Sequence, residues 1–115
     1  MAKRKELKKG LKRVLLDYYW RAHDEELRRA LAVLASSFDD WKQGQLSNED
    51  LADRIHKFHN GVSREIYKRY DGKMLEFTVT RAIVEELLER SKIPAELLEY
   101  LKESLEAYET AGARS

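Results

Sequence analysis

The sequence contains no cysteine, so neither a disulfide framework nor a thiolate metal site is open to it. One proline and five glycines in 115 residues leave little turn chemistry, which argues against a fold built of many chain reversals. Long hydrophobic runs are missing as well. The longest, ALAVLA at 30–35, is far short of the ~20 residues that a membrane span needs. The opening MAKRKELKKG has no apolar stretch behind its basic residues and does not read as a secretory signal. These absences predict a chain at ease in a reducing compartment, cytoplasmic and without a membrane partner.

What is present is charge and helix-forming apolar residues. Charged residues make up 37% and hydrophobic ones 43%, a composition that suits one modest helical core. Residues 1–115 are therefore read as a single all-α domain, a small bundle of about four helices with a long amino-terminal helix. Its basic start, residues 1–9, is expected to project or fray, and 111–115 to form a frayed tail. The net charge of +1 conceals an asymmetry. Residues 1–13 carry seven Lys or Arg against Glu6, a net +6 that leaves −5 for the rest. A basic end on an acidic body suits nucleic acid, an acidic surface, or a second copy of the chain.

From Lys3 to Gln43 only Gly10 weakens a continuous helix. Leu7, Leu11, Val14 and Tyr18 form one apolar stripe, and Leu27, Leu31, Leu34, Phe38 and Trp41 form another, about one residue out of phase. A helix of that length exceeds the span of a compact domain this size, so either it breaks near Trp20–Asp24 or its basic end projects, and the absence of Pro or Gly there favours the second. Its early turns, with Leu7, Leu11, Val14, Leu15 and Tyr18, are thus expected to project and to be covered by a second copy in a dimer. Gly44 ends this helix. Ser47 then caps a second one, with Glu49 and Asp50 in its first turn. Its stripe is Leu51, Ile55, Phe58, Val62, Ile66 and Tyr70, with Gly61 inside it marking a kink or the close approach of another helix. Asp71-Gly72 stops it. A third helix is read from Met74 to Ser91, with Phe77, Thr80, Ile83, Val84, Leu87 and Leu88 inward. A fourth opens at Pro94 in the first helical position, with Leu97, Leu98, Leu101, Leu105 and Tyr108 as its seam.

Three motifs carry candidate chemistry. His56 and His59, with Asp53 one turn earlier, have a spacing that can place nitrogen and carboxylate ligands on one side of a helix. The helical di-metal pattern needs Glu-x-x-His on two helices, and none is present, so no metal or other cofactor is assigned. A three-histidine set would require His23 to pack beside the second helix. LSNEDLADRI followed by GVSREIYKRYDGK resembles the helix-turn-helix of phage-repressor-type regulators, across 46–72. That resemblance implies that Ser63, Arg64 and Lys68 contact DNA. Ala52 and Gly61 stand nine residues apart where that family has four. Glu85-Glu86-x-x-Glu89 resembles the acidic motif of all-helical nucleotide pyrophosphohydrolases, which implies magnesium held at a triphosphate. The further Glu-x-x-Asp of that family is missing.

The reading that follows is a non-enzymatic helical-bundle protein that self-associates and acts as a binding or regulatory partner of another protein. The alternative is a regulator that binds nucleic acid weakly through Lys5, Lys9, Lys12, Arg13, Arg64, Lys68 and Arg69. A metal-dependent enzyme ranks third.

Overall fold

The computed structural model describes residues 7–113. Lys5 and most of the basic start lie outside those residues. The fold is all-α, without a strand among the described residues. Its helices are α1 (Lys9–Lys42), α2 (Asn48–Lys57), α3 (Arg64–Arg69), α4 (Leu75–Val84), α5 (Ala95–Tyr100) and α6 (Lys102–Ala113). A π-helical turn, Phe58–Ser63, joins α2 to α3, and a 3-10 turn, Arg90–Lys92, lies between α4 and α5. No described helix is long and apolar enough to cross a membrane.

The chain divides into two compact units. Among the described residues, unit 1 comprises 7–22 and 72–113, and unit 2 is the hairpin of residues 23–71. In unit 1, Leu11, Leu15, Tyr19 and Ala22 of α1 are buried, as are Val79, Ala82 and Ile83 of α4. Leu97, Leu101 and Leu105 complete this core from α5, α6 and the turn between them. Burying each large side chain contributes about 1.5–3 kcal/mol. The hydroxyl of fully buried Tyr19 accepts a hydrogen bond from the Gly72 amide at 2.9 Å. Tyr18 donates to the Lys92 carbonyl at 3.2 Å.

These contacts revise the expectation for the amino-terminal row. Leu11 and Leu15 face the chain's own core, while Leu7, Val14 and Tyr18 are half-buried. The buried face is turned toward Leu15, Tyr19 and Ala22, so the row does not need a second copy to cover it.

Helix ends follow local chemistry, with one surprise. At the end of α1, Gly44 takes φ +78°, its amide bonds to the Trp41 carbonyl, and the Gln45 amide bonds to that of Asp40. This double bond satisfies carbonyls that the helix leaves open. The third helix was expected to reach Ser91, but α4 stops at Val84 with the same geometry. Glu86, at φ +61°, stands where glycine is usual; its amide bonds to the Ile83 carbonyl, and the Leu87 amide to that of Ala82. Phe77, expected inward, is half exposed, because Thr78, Val79, Ala82 and Ile83 take the buried face. Pro94 stands one residue before α5, at ψ 137°, rather than in its first turn. Ser47 caps α2 as expected, its hydroxyl accepting from the Asp50 amide at 3.0 Å.

The second helix runs unbroken in direction from Asn48 to Arg69, with right-handed helical angles at both ends of its π turn. Leu51 to Ile66 is fifteen residues, which ordinary α-helix at about 100° per residue would rotate off the seam by about 60°. The wider π turn takes up about one extra residue and returns Ile66 and Tyr70 to the buried side, where both lie with Leu51. Gly61 is therefore part of a wound-out turn and not a point of close approach: a Cβ built there meets nothing within 4 Å. Gly61→Ala is expected to raise stability, by about 0.4–1 kcal/mol, since it removes backbone freedom from the unfolded chain at a helical position. Urea denaturation followed by circular dichroism measures this; a loss of 1 kcal/mol or more would show that the turn needs glycine.

Candidate protein interface

Unit 2 is an antiparallel pair, the second part of α1 against α2, the π turn and α3. Polar contacts fix its register at three levels. Near the turn between the helices, the Trp41 indole N–H donates to the Asn48 carbonyl oxygen at 2.7 Å. In the middle, Arg54 donates to the Ser37 hydroxyl at 3.0 Å, and Ser37 is buried. At the far end Glu26 accepts from the Tyr70 hydroxyl at 2.9 Å and pairs with Arg69. His23 meets the Tyr70 ring edge-on, with centroids 5.0 Å apart.

Burial shows which sides of the helices meet. On α1 it is the side of Leu27, Leu34 and Ser37, and on the second helix the side of Leu51, Phe58 and Ile66, with the polar bonds along its edge. Leu31 lies about 60° further along the winding of α1 than Leu34, and Ile55 about 60° beyond Phe58, at about 100° per residue. Because the helices are antiparallel, a rotation in the chain direction on each leads to the same side of the pair. One flank of the hairpin therefore carries Leu31 and Ile55. Leu31 is 46% exposed, Ile55 40% and Trp41 39%. Leu27, Leu34, Phe38 and Phe58 are only half covered. The expectation that Ile55 and Val62 lie in a closed core is overturned: both are exposed, and only Leu51, Ile66 and Tyr70 of that stripe are buried. Two helices touch along one line, and the flank of each apolar stripe stays open.

The other side is polar. Glu25 holds Arg28 through two bonds, at 2.9 and 2.7 Å, and Arg29 through one at 2.7 Å. Hydrogen bonds from Arg28, then from Arg29, hold the Glu25 carboxyl down to about 2 against its ordinary 4.5. Val33, 72% exposed, lies on the flank of α1 away from Leu31.

The structure separates the residues of the other candidate sites. Asp53 pairs with Lys57 at 2.9 Å, which raises the lysine's pKa, and His56 shares a hydrogen bond with Asn60 at 3.0 Å. His59 is exposed, and His23 packs on Tyr70, eleven residues, or about 16 Å of helix, further along the second helix. Among the described residues no group of three or more His, Cys, Asp or Glu could hold a metal. The helix-turn-helix expected at 46–72 is not formed, because one helical run occupies the place of both helices and their turn. Of its basic candidates, Arg64 and Lys68 are exposed and Arg69 is held by Glu26. Lys9, Lys12 and Arg13 are exposed on the first turns of α1. Glu85, Glu86 and Glu89 cannot share one helical face, since α4 ends before them. Glu85 instead accepts from Arg81 at 3.2 Å and from Tyr108 at 3.0 Å, and burial together with Glu85 pushes the Tyr108 phenol up.

Unit 1 has an open groove of about 790 Å³ lined by Leu7, Leu15, Met74, Phe77, Thr80 and Tyr108, among others. A smaller hollow of about 350 Å³ lies between His59, Asn60, Ser63, Arg64 and Tyr67. Compared with protein-family models, curated proteins and solved structures, the chain shows no match.

The Glu25 cluster gives a pH prediction. A carboxyl whose folded pKa is depressed adds stability above its unfolded value and loses it as pH falls through the folded one. The melting temperature of the parent should exceed that of Glu25→Gln at pH 6. The gap should close between about pH 4.5 and 2, and it should be smaller in high salt because the cluster is solvent-facing. A gap that persists at pH 2 would assign the effect to something other than the ionised carboxylate.

Proposed function

We propose that this chain is a non-enzymatic helical-bundle protein that self-associates and serves as a binding or regulatory partner of another protein. The observation that carries this reading is the exposure of large apolar side chains on the hairpin, Leu31 46%, Ile55 40% and Trp41 39%. A contiguous apolar patch rimmed by polar residues is what interaction surfaces present, and large aromatic and aliphatic side chains at its centre supply most of the binding energy. The cysteine-free composition supports action in a reducing, cytoplasmic setting. Capture of partners from the native cell, with nuclease digestion as a control, tests the reading. A protein retained by the parent after digestion and lost from Leu31→Glu supports it; identical protein capture by the two would sink it.

A second reading rests on the exposed Lys8, Lys9, Lys12 and Arg13 at the start of α1. Such a cluster binds phosphates through counterion release, and its affinity falls steeply with salt. Duplex DNA should bind weakly, without sequence preference, and release by about physiological salt in a fluorescence-anisotropy titration. Tight binding to one sequence, abolished by Arg64→Ala, would make nucleic acid the principal partner.

A further inference from the structure

We infer that the hollow beside the π turn binds a nucleoside monophosphate, with Arg64 and Ser63 on the phosphate and Tyr67 against the base. The site is independent of the protein-binding reading and uses none of the apolar side chains that carry it. It is built by the winding of the second helix. His59 to Ser63 and Asn60 to Arg64 are steps of four, and an ordinary α-helix carries each about 40° past its start. The π turn at Phe58–Ser63 takes more residues per revolution and reduces that drift. His59 and Ser63 thus stand in one row and Asn60 and Arg64 in the next, with Tyr67 four residues beyond Ser63. These five residues line the hollow of about 350 Å³, near the lower end of the ~300–1,000 Å³ of small-molecule sites.

The lining is rich in donors. Arg64 offers a charged fork of N–H groups that matches two phosphate oxygens. Ser63 offers a hydroxyl and His59 a ring N–H, and Asn60 keeps a second amide N–H beyond the one it gives to His56 at 3.0 Å. No Asp or Glu lines the hollow, so no carboxylate in it repels an anion. Arg64 is also uncommitted. Seven described arginines elsewhere in the chain are held, six by carboxylates and Arg54 by the Ser37 hydroxyl. Arg64 has no such partner among the described residues, and the exposed Lys68 one turn further on adds positive charge beside it. Phosphate alone would need only these groups. Tyr67, 79% exposed, adds an uncovered aromatic ring to the same hollow, and such a ring is what a nucleobase stacks on. The pairing of ring and cation selects a phosphate carried on a base over inorganic phosphate.

Isothermal titration calorimetry of the full chain at physiological salt, with adenosine monophosphate, adenosine and inorganic phosphate as probes, tests the site. Adenosine monophosphate is expected to bind with submillimolar affinity, inorganic phosphate about 10-fold or more weaker for want of stacking, and adenosine without measurable heat. Arg64→Ala should weaken the nucleotide by about 10-fold or more through loss of the charged fork. Tyr67→Ala should bring its affinity down to that of inorganic phosphate. Both positions are exposed, so the far-UV circular dichroism of each variant should match the parent. Arg13→Ala, which removes an exposed arginine of the basic end, should leave nucleotide affinity unchanged. No binding of adenosine monophosphate at millimolar concentration would overturn the inference. Adenosine binding as tightly as its monophosphate would do so too, since the phosphate would then not be recognised. Loss of binding in Arg13→Ala with none in Arg64→Ala would move the effect to the basic end and overturn it equally. Inorganic phosphate matching the nucleotide, with Tyr67→Ala silent, would overturn the assignment to a nucleotide. An oligonucleotide that needs Arg64 where the mononucleotide fails to bind would overturn it in favour of a nucleic-acid strand.

Discussion

Two helices can bury against each other only the residues near their line of contact. Most of what is distinctive in unit 2 follows from that constraint. Each helix of the hairpin has an apolar stripe at least 100° wide, the width that suits a core shared by several helices. A single neighbour covers one flank of it. Polar groups fix the covered flank, with Arg54 on Ser37 and Glu26 on Tyr70, and the uncovered flank leaves Leu31 and Ile55 in solvent. Lengthening the hairpin would lengthen the open face in proportion. Only a further layer would remove it.

The same constraint explains the π turn. A second helix of twenty-two residues cannot keep one straight seam facing its neighbour, because the apolar spacing and the helical repeat drift apart. The sequence spaces Phe58, Val62, Ile66 and Tyr70 in successive fours, longer than the 3.6-residue repeat. By winding out over Phe58–Ser63, the chain recovers the drift and brings Ile66 and Tyr70 back to α1. The middle of the helix, where Ile55 and Val62 are exposed, is its least covered part.

Unit 1 solves the burial problem differently, with segments from both ends of the chain. Leu15, Tyr19, Val79, Leu97 and Leu101 are each covered almost completely, because α1, α4, α5 and α6 supply more than one neighbour to each stripe. The Tyr19 hydroxyl shows how closely this unit is tied, since it takes up the amide of Gly72, where the chain re-enters the unit after the hairpin. Here Leu11 and Leu15, at the amino-terminal end of α1, find their cover.

The all-helical class, the stop at Gly44, the cap at Ser47 and the stop at Asp71-Gly72 were legible in the residues alone. Each depends on contacts within a few residues: a left-handed glycine, a hydroxyl near an orphan amide, an apolar repeat near 3.6. It was equally right to place Leu97, Leu101 and Leu105 on one seam. The end of α4 was illegible, because Glu86 occupies a conformation that glycine usually signals and its backbone bonds leave no trace in residue type. The histidine and glutamate motifs looked like sites because spacing records which residues can share a face, not whether Lys57 already holds Asp53 or whether the helix continues. Only tertiary structure decided which apolar rows are covered. Leu11 and Leu31 are the same residue type in similar helical stripes, and one is buried while the other is nearly half exposed. The difference lies in how many helices surround each, a property of distant parts of the chain that no local pattern contains.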